Sequence, residues 1–95
     1  MKNQDMGPET KKSDPRLRLL HRAIEGSPNA PVNYVFRGEY WLQKGSLQAA
    51  ITDFETAITL ATQQREDSDW GYLEQALIDR ARQGLRLART SLTQQ

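Results

Sequence analysis

The chain of 95 residues contains no cysteine. Disulfides, thiolate zinc sites and cysteine nucleophiles are therefore excluded. It has a single histidine, His21, with no serine or carboxylate placed beside it to suggest a triad. It has no run of 18 apolar residues, so no segment reads as a membrane span. Neither common glycine-rich phosphate loop is present. The stretch "EDSD" at 66–69 is acidic, but it lacks the alternating ligands and closing glutamate of a calcium loop. It reads as an acidic helix start, favoured by the helix dipole. The sequence thus points to no catalytic residue, no cofactor and no metal site. "MKNQDMGPETKKSD" has no apolar h-region and does not read as a secretory signal, which makes the cytoplasm the expected location. Met6 is an alternative start to Met1.

What the chain does have is charge, unevenly spread. Charged residues make up 26% and hydrophobic ones 37%. The net charge is +1, but residues 1–24 carry +3, residues 25–79 carry −6 and residues 80–95 carry +4. Two basic ends flank an acidic middle. Residues 1–13 are polar, without an apolar period, and are expected to form a disordered tail. Residues 14–93 read as one helical domain.

Four helical segments follow. Asp14 before Pro15 is an N-cap and first-turn signal, and Leu17, Leu20 and Ile24 keep helical spacing until Gly26 and Pro28. The first helix is expected over about 15–25. The second, over 31–44, begins at Pro31 and ends at Gly45, a residue suited to positive φ. Leu47, Ala50, Ile51, Phe54, Ala57, Ile58 and Ala61 form a continuous apolar stripe, giving a third helix over 47–63. The Gly45–Ser46 turn is so short that helices two and three must form an antiparallel hairpin. "REDSDW" reads as a polar turn, with Asp67, Ser68 or Asp69 as the next N-cap. Trp70, Leu73, Leu77, Ala81, Leu85, Ala88 and Leu92 then favour one long helix over 69–92. Two shorter helices broken at Gly84 are the alternative.

Gly38 lies in the middle of helix two, where glycine costs about 1 kcal/mol relative to alanine. In the hairpin it is expected to face Ala50, so that two small residues let the backbones approach, with Trp41 and Phe54 filling the flanks. The last helix, at about 36 Å, should outreach a third helix of about 25 Å. Leu85, Ala88 and Leu92 are expected to lie in that overhang as an uncovered contact surface.

Self-comparison gives a period of 34: Leu20 recurs as Phe54, Ala23 as Ala57 and Ile24 as Ile58. On Tyr34, Gly38, Trp41, Ala50, Phe54 and Ala57 the chain resembles the tetratricopeptide repeat family. The resemblance covers one full repeat at 31–64, a preceding half repeat at 15–28 and a C-terminal capping helix. Arg37 stands where the family usually has leucine, and Thr62 where it has proline. The resemblance implies an all-α helical-hairpin array, a short right-handed solenoid fragment. It assigns Tyr34 and Trp41 to packing, and Val32, Val35, Glu39, Leu42 and Gln43 to a concave, partner-facing groove. Members that grip chaperone C-termini carry lysine and asparagine where Val35 and Glu39 stand, so that function is disfavoured. The implied function is a non-catalytic adaptor or assembly factor that binds a protein segment. Two other readings stand beside it. One is a self-associating structural protein. The other is a nucleic-acid accessory acting through Arg82, Arg86 and Arg89, with Leu85 and Leu92 on the same terminal helix. The acidic middle of the chain argues against nucleic acid.

Overall fold

The computed structural model describes residues 14–94, and the tail expected over 1–13 lies outside them. The described chain is all-α. Four helices, α1 (Pro15–Gly26), α2 (Pro31–Lys44), α3 (Leu47–Asp67) and α4 (Tyr72–Thr93), form a helical array with no strand among the described residues.

The caps follow from sequence. The Asp14 carboxylate accepts a 2.9 Å hydrogen bond from the Arg16 amide, and Pro15 opens α1. Helix α2 ends in a Schellman motif: Gly45 adopts φ +81° while its amide donates to Leu42 and the Ser46 amide donates to Trp41. The chain turns back within two residues, so α3 runs antiparallel to α2. A second short turn reverses it again, which leaves α2 and α4 parallel.

The second turn departs from expectation. Helix α3 continues through Arg65, Glu66 and Asp67 instead of ending near 63. Gln63 to Glu66 are good helix formers, and no glycine or proline intervenes before Gly71. Polarity alone does not stop a helix. Two side chains of this added turn are anchored: Gln64 donates to the Asn29 carbonyl at 2.6 Å, and Arg65 donates to Gln75 Oε1 at 2.5 Å. None of Asp67, Ser68 and Asp69 caps α4. Ser68 closes α3, and its Oγ accepts from the Gly71 amide at 3.1 Å. The residue before α4 is Gly71, at φ +70°, where a Cβ would stand 2.8 Å from Arg65 Cγ.

These shifts remove the expected overhang. Helix α3 has 21 residues and α4 has 22, so the two match in length. Leu85 and Ala88 are consequently core residues, and only Leu92 is exposed. Helix α4 is continuous through Gly84.

Helix α3 lies at the centre. Its Ala50, Ile51, Phe54 and Ala57 pack with Val35 from α2 and with Ala81, Leu85 and Ala88 from α4. The atoms nearest to a Cβ placed at Gly38 are not those of Ala50, the expected partner. Gly38 faces the Phe54 ring, where an added Cβ would sit 2.8 Å from Cε1 and 2.9 Å from Cδ1. Gly84 faces the same ring from α4, where a Cβ would sit 2.7 Å from Cε1 and Cε2 and nearer still to Cζ. Phe54, fully buried, is held between two glycines of neighbouring helices.

Candidate functional site

An open cleft of about 280 Å³ lies between the parallel helices α2 and α4. Glu39 and Leu42 line it from α2, and Arg80, Gln83, Gly84 and Leu87 from α4. Its centre is an ion pair. Arg80 Nε and Nη2 donate to the two Glu39 oxygens at 2.6 and 2.8 Å. This bidentate bond favours the charged guanidinium, raising the Arg80 pKa. The same guanidinium lies 5.4 Å from the centroid of the exposed Phe36 ring. Leu42 is half-buried and Leu87 exposed. The cleft therefore offers apolar walls around a neutralised pair of charges.

The residues expected in a groove separate here. Glu39 and Leu42 do line the cleft. Val35 does not: it is fully buried in the core beside Phe54 and cannot touch a partner. It shares a helix stripe with Leu42, but α3 and α4 close over that end of the stripe. Val32 is half-buried and Gln43 exposed, and neither belongs to the lining.

The C-terminal arginines also differ from one another. Arg89 donates to Glu55 of α3 at 3.0 Å. Arg82 and Arg86 are exposed and make no ion pair among the described residues. Leu85 is buried and leaves that surface, whereas Leu92 stays on it.

The residues that carry the sequence resemblance are engaged in packing and hydrogen bonds. Ala50 and Ala57 are buried. The Tyr34 hydroxyl donates to the Pro28 carbonyl at 2.8 Å, tying α2 to the preceding turn. Trp41 packs edge-on to Tyr40, with ring centroids 5.4 Å apart.

Two polar networks escaped sequence reasoning. Arg37 donates from Nε and Nη2 to the Asp53 carboxylate at 2.7 and 2.9 Å. Asp53 is almost fully buried, with its side chain 5% exposed. Arg37 Nη1 is 3.1 Å from His21 Nδ1. A guanidinium can only donate, so Nδ1 accepts and the imidazole proton sits on Nε2. The network links α1, α2 and α3. Its one signal in the sequence was an arginine where the resembled tetratricopeptide pattern usually has leucine. In the second network the buried Tyr40 donates its hydroxyl to Asp14 at 2.5 Å. That bond holds the Asp14 carboxyl below the ordinary carboxylate range, and it pushes the Tyr40 phenol up.

A larger depression, of about 420 Å³, lies between the α1–α2 turn and the end of α3. Asn29, Gln63, Gln64, Glu66 and Asp67 make its walls polar, and Leu60 is its sole apolar contact. It lacks the apolar anchors that fill a recognition groove. No three histidine or carboxylate side chains converge as metal ligands among the described residues. No helix among them is long and apolar enough to cross a membrane. No family model, curated protein or solved structure matches the chain.

Proposed function

We propose that this chain is a non-catalytic protein–protein interaction module, similar to a tetratricopeptide-repeat adaptor or assembly factor, working in the cytoplasm without a cofactor. It binds a protein segment along the cleft between α2 and α4. The observation that carries the reading is the cleft itself. Leu42 and Leu87 supply apolar walls, Phe36 borders them, and the Arg80–Glu39 pair supplies polar contacts at the centre. An apolar trough with a few fixed polar groups suits a helix or an extended segment that presents apolar anchors. Support for the repeat likeness comes from Tyr34, Gly38, Trp41, Ala50, Phe54 and Ala57 at family spacing, and from the antiparallel α2–α3 hairpin.

The test uses two substitutions on opposite walls. Leu42→Arg and Leu87→Arg each place a charge in the trough. Each is expected to keep the parental far-UV circular dichroism and to abolish capture of whatever segment the parent retains in affinity purification. A photo-crosslinking residue at Gln83 should label the same bound species. Retention of capture by both arginine variants would reject the cleft as the binding surface.

A further inference from the structure

The α3–α4 turn displays two aromatic rings that the core does not use. Trp70 is 76% exposed and Tyr72 74%. Their ring centroids are 6.0 Å apart, with the planes inclined by 36°. Tryptophan is highly buried on average, and tryptophan and tyrosine at a surface are enriched where proteins meet. Neither ring lines the cleft between α2 and α4. The backbone that carries them is fixed. Ser68 Oγ accepts from the Gly71 amide, Gly71 sits at φ +70°, and Arg65 donates to Gln75 across the turn. A partner therefore meets a platform with little left to order.

Charge selects what covers the rings. The Arg65–Gln75 bond closes the base of the turn, so residues 66–74 form one tip. That tip carries four carboxylates, Glu66, Asp67, Asp69 and Glu74, and no lysine or arginine. None of the four forms an ion pair among the described residues. Asp69 and Glu74 flank the two rings in sequence, and Glu66 and Asp67 end α3 just before them. Their summed field repels acidic segments and draws cationic ones. A purely apolar segment laid on the rings would desolvate carboxylates without pairing them. Arginine meets both demands, because a guanidinium stacks on an aromatic face and also binds carboxylate. The chain already uses that contact within itself: Arg37 lies over Tyr34, Arg80 over Phe36 and Arg16 over Tyr40. No described cation of the chain lies over Trp70 or Tyr72. We infer that Trp70 and Tyr72 form a docking site for an arginine-rich segment of another protein. Its guanidinium groups lie on the two rings and pair with the neighbouring carboxylates, Asp69 above all.

Nuclear magnetic resonance on the full chain tests this, with octa-arginine, octa-lysine and octa-glutamate peptides as probes. The chain has two indole N–H signals, from Trp41 and Trp70. Octa-arginine should move the Trp70 signal and leave the Trp41 signal and the Leu42 and Leu87 methyl signals in place. Octa-lysine should bind about threefold or more weakly, for want of a planar group to stack. Octa-glutamate should not bind. Trp70→Ala and Tyr72→Ala should each weaken octa-arginine binding about fivefold. Asp69→Asn should weaken it too, and should flatten its dependence on salt. All three positions are exposed, so circular dichroism should stay parental. Octa-arginine binding that both alanine variants leave unchanged overturns the inference, since attraction to the acidic tip would then account for all of it. Equal affinity for octa-lysine and octa-arginine overturns it as well. So does a shift confined to Leu42 and Leu87, which would place the basic segment in the cleft, or a parent that self-associates in sedimentation and loses this with Trp70→Ala, which would make a second copy the occupant.

Discussion

Phe54 is the residue on which the packing turns. Its ring is buried between α2 and α4, and the space it occupies exists because Gly38 and Gly84 lack side chains. Alanine at either position improves helix propensity by about 1 kcal/mol. It also drives a Cβ into a ring that is confined from the other side, and overpacking of this kind costs about 1–3 kcal/mol. Gly38→Ala and Gly84→Ala are both expected to lower the denaturant midpoint, Gly84→Ala more, because its Cβ falls nearer the ring. In a Phe54→Leu background, where the ring edge is gone, both alanines should become neutral or stabilising. A double-mutant cycle with no coupling between positions 54 and 84 would show that the clamp is absent. The sequence made the Gly38 anomaly visible, but not its cause. Helical spacing placed Gly38 and Phe54 on facing helices. Which small residue meets which large one depends on the crossing geometry, which spacing does not encode. Gly84 read as a weak point in a long helix for the same reason. Arg37 and Asp53, 16 residues apart, were equally unreadable as a pair, because a buried ion pair leaves no periodic trace.

The helices were legible where local chemistry dictates their ends. Asp14–Pro15, Pro31 and Gly45 carry their own stop and start signals, and α1 and α2 end within one residue of expectation. The α3–α4 turn was misplaced because Asp67, Ser68 and Asp69 are good N-cap residues in principle. Gly71, hidden between two aromatics, makes the reversal through positive φ. Helix α1 depends most on single contacts, since Leu17 is its one buried residue. The Tyr40–Asp14 bond fixes its start to α2. Asp14 has a lowered pKa in the fold, so its stabilisation is present above the ordinary carboxylate value and is lost as pH falls through the lowered one. Tyr40 has a raised pKa, so its stabilisation is present below the ordinary phenol value and is lost as pH climbs through the raised one. Between these limits the bond is intact. Tyr40→Phe should therefore flatten both the acid and the alkaline fall in stability, and should raise amide exchange in α1 at neutral pH. Melting profiles of parent and Tyr40→Phe that stay parallel from acid to alkali would mean that the bond does not couple to folding.

At the scale of the whole molecule, the array has a single strongly apolar layer, and α3 supplies half of it. A helical array this short buries little surface, so each flanking helix matters to the total. The sequence suggested that α4 projects beyond the hairpin, which would make its last turns dispensable. The structure instead places Leu85 and Ala88 in one core cluster with Phe54 and Ile51, with Gly84 covering one side of the Phe54 ring. Ending the chain after Gln83 removes all three positions together. Losing the burial of one leucine removes about 2 kcal/mol, and newly wetted surface on Phe54, Ala50 and Ile51 adds to it, for a total of about 3–5 kcal/mol. Domains have about 5–15 kcal/mol of stability in all, with small cores at the lower end. The truncated chain is therefore expected to lose its cooperative melt and most of its helical circular dichroism, although α2 and α3 are left intact in sequence. Comparison with Leu92→Ser separates removal of core from shortening of the helix. Leu92 is exposed, so that variant should melt close to the parent. A truncated chain that melts cooperatively near the parental temperature would place the last turns of α4 outside the core after all.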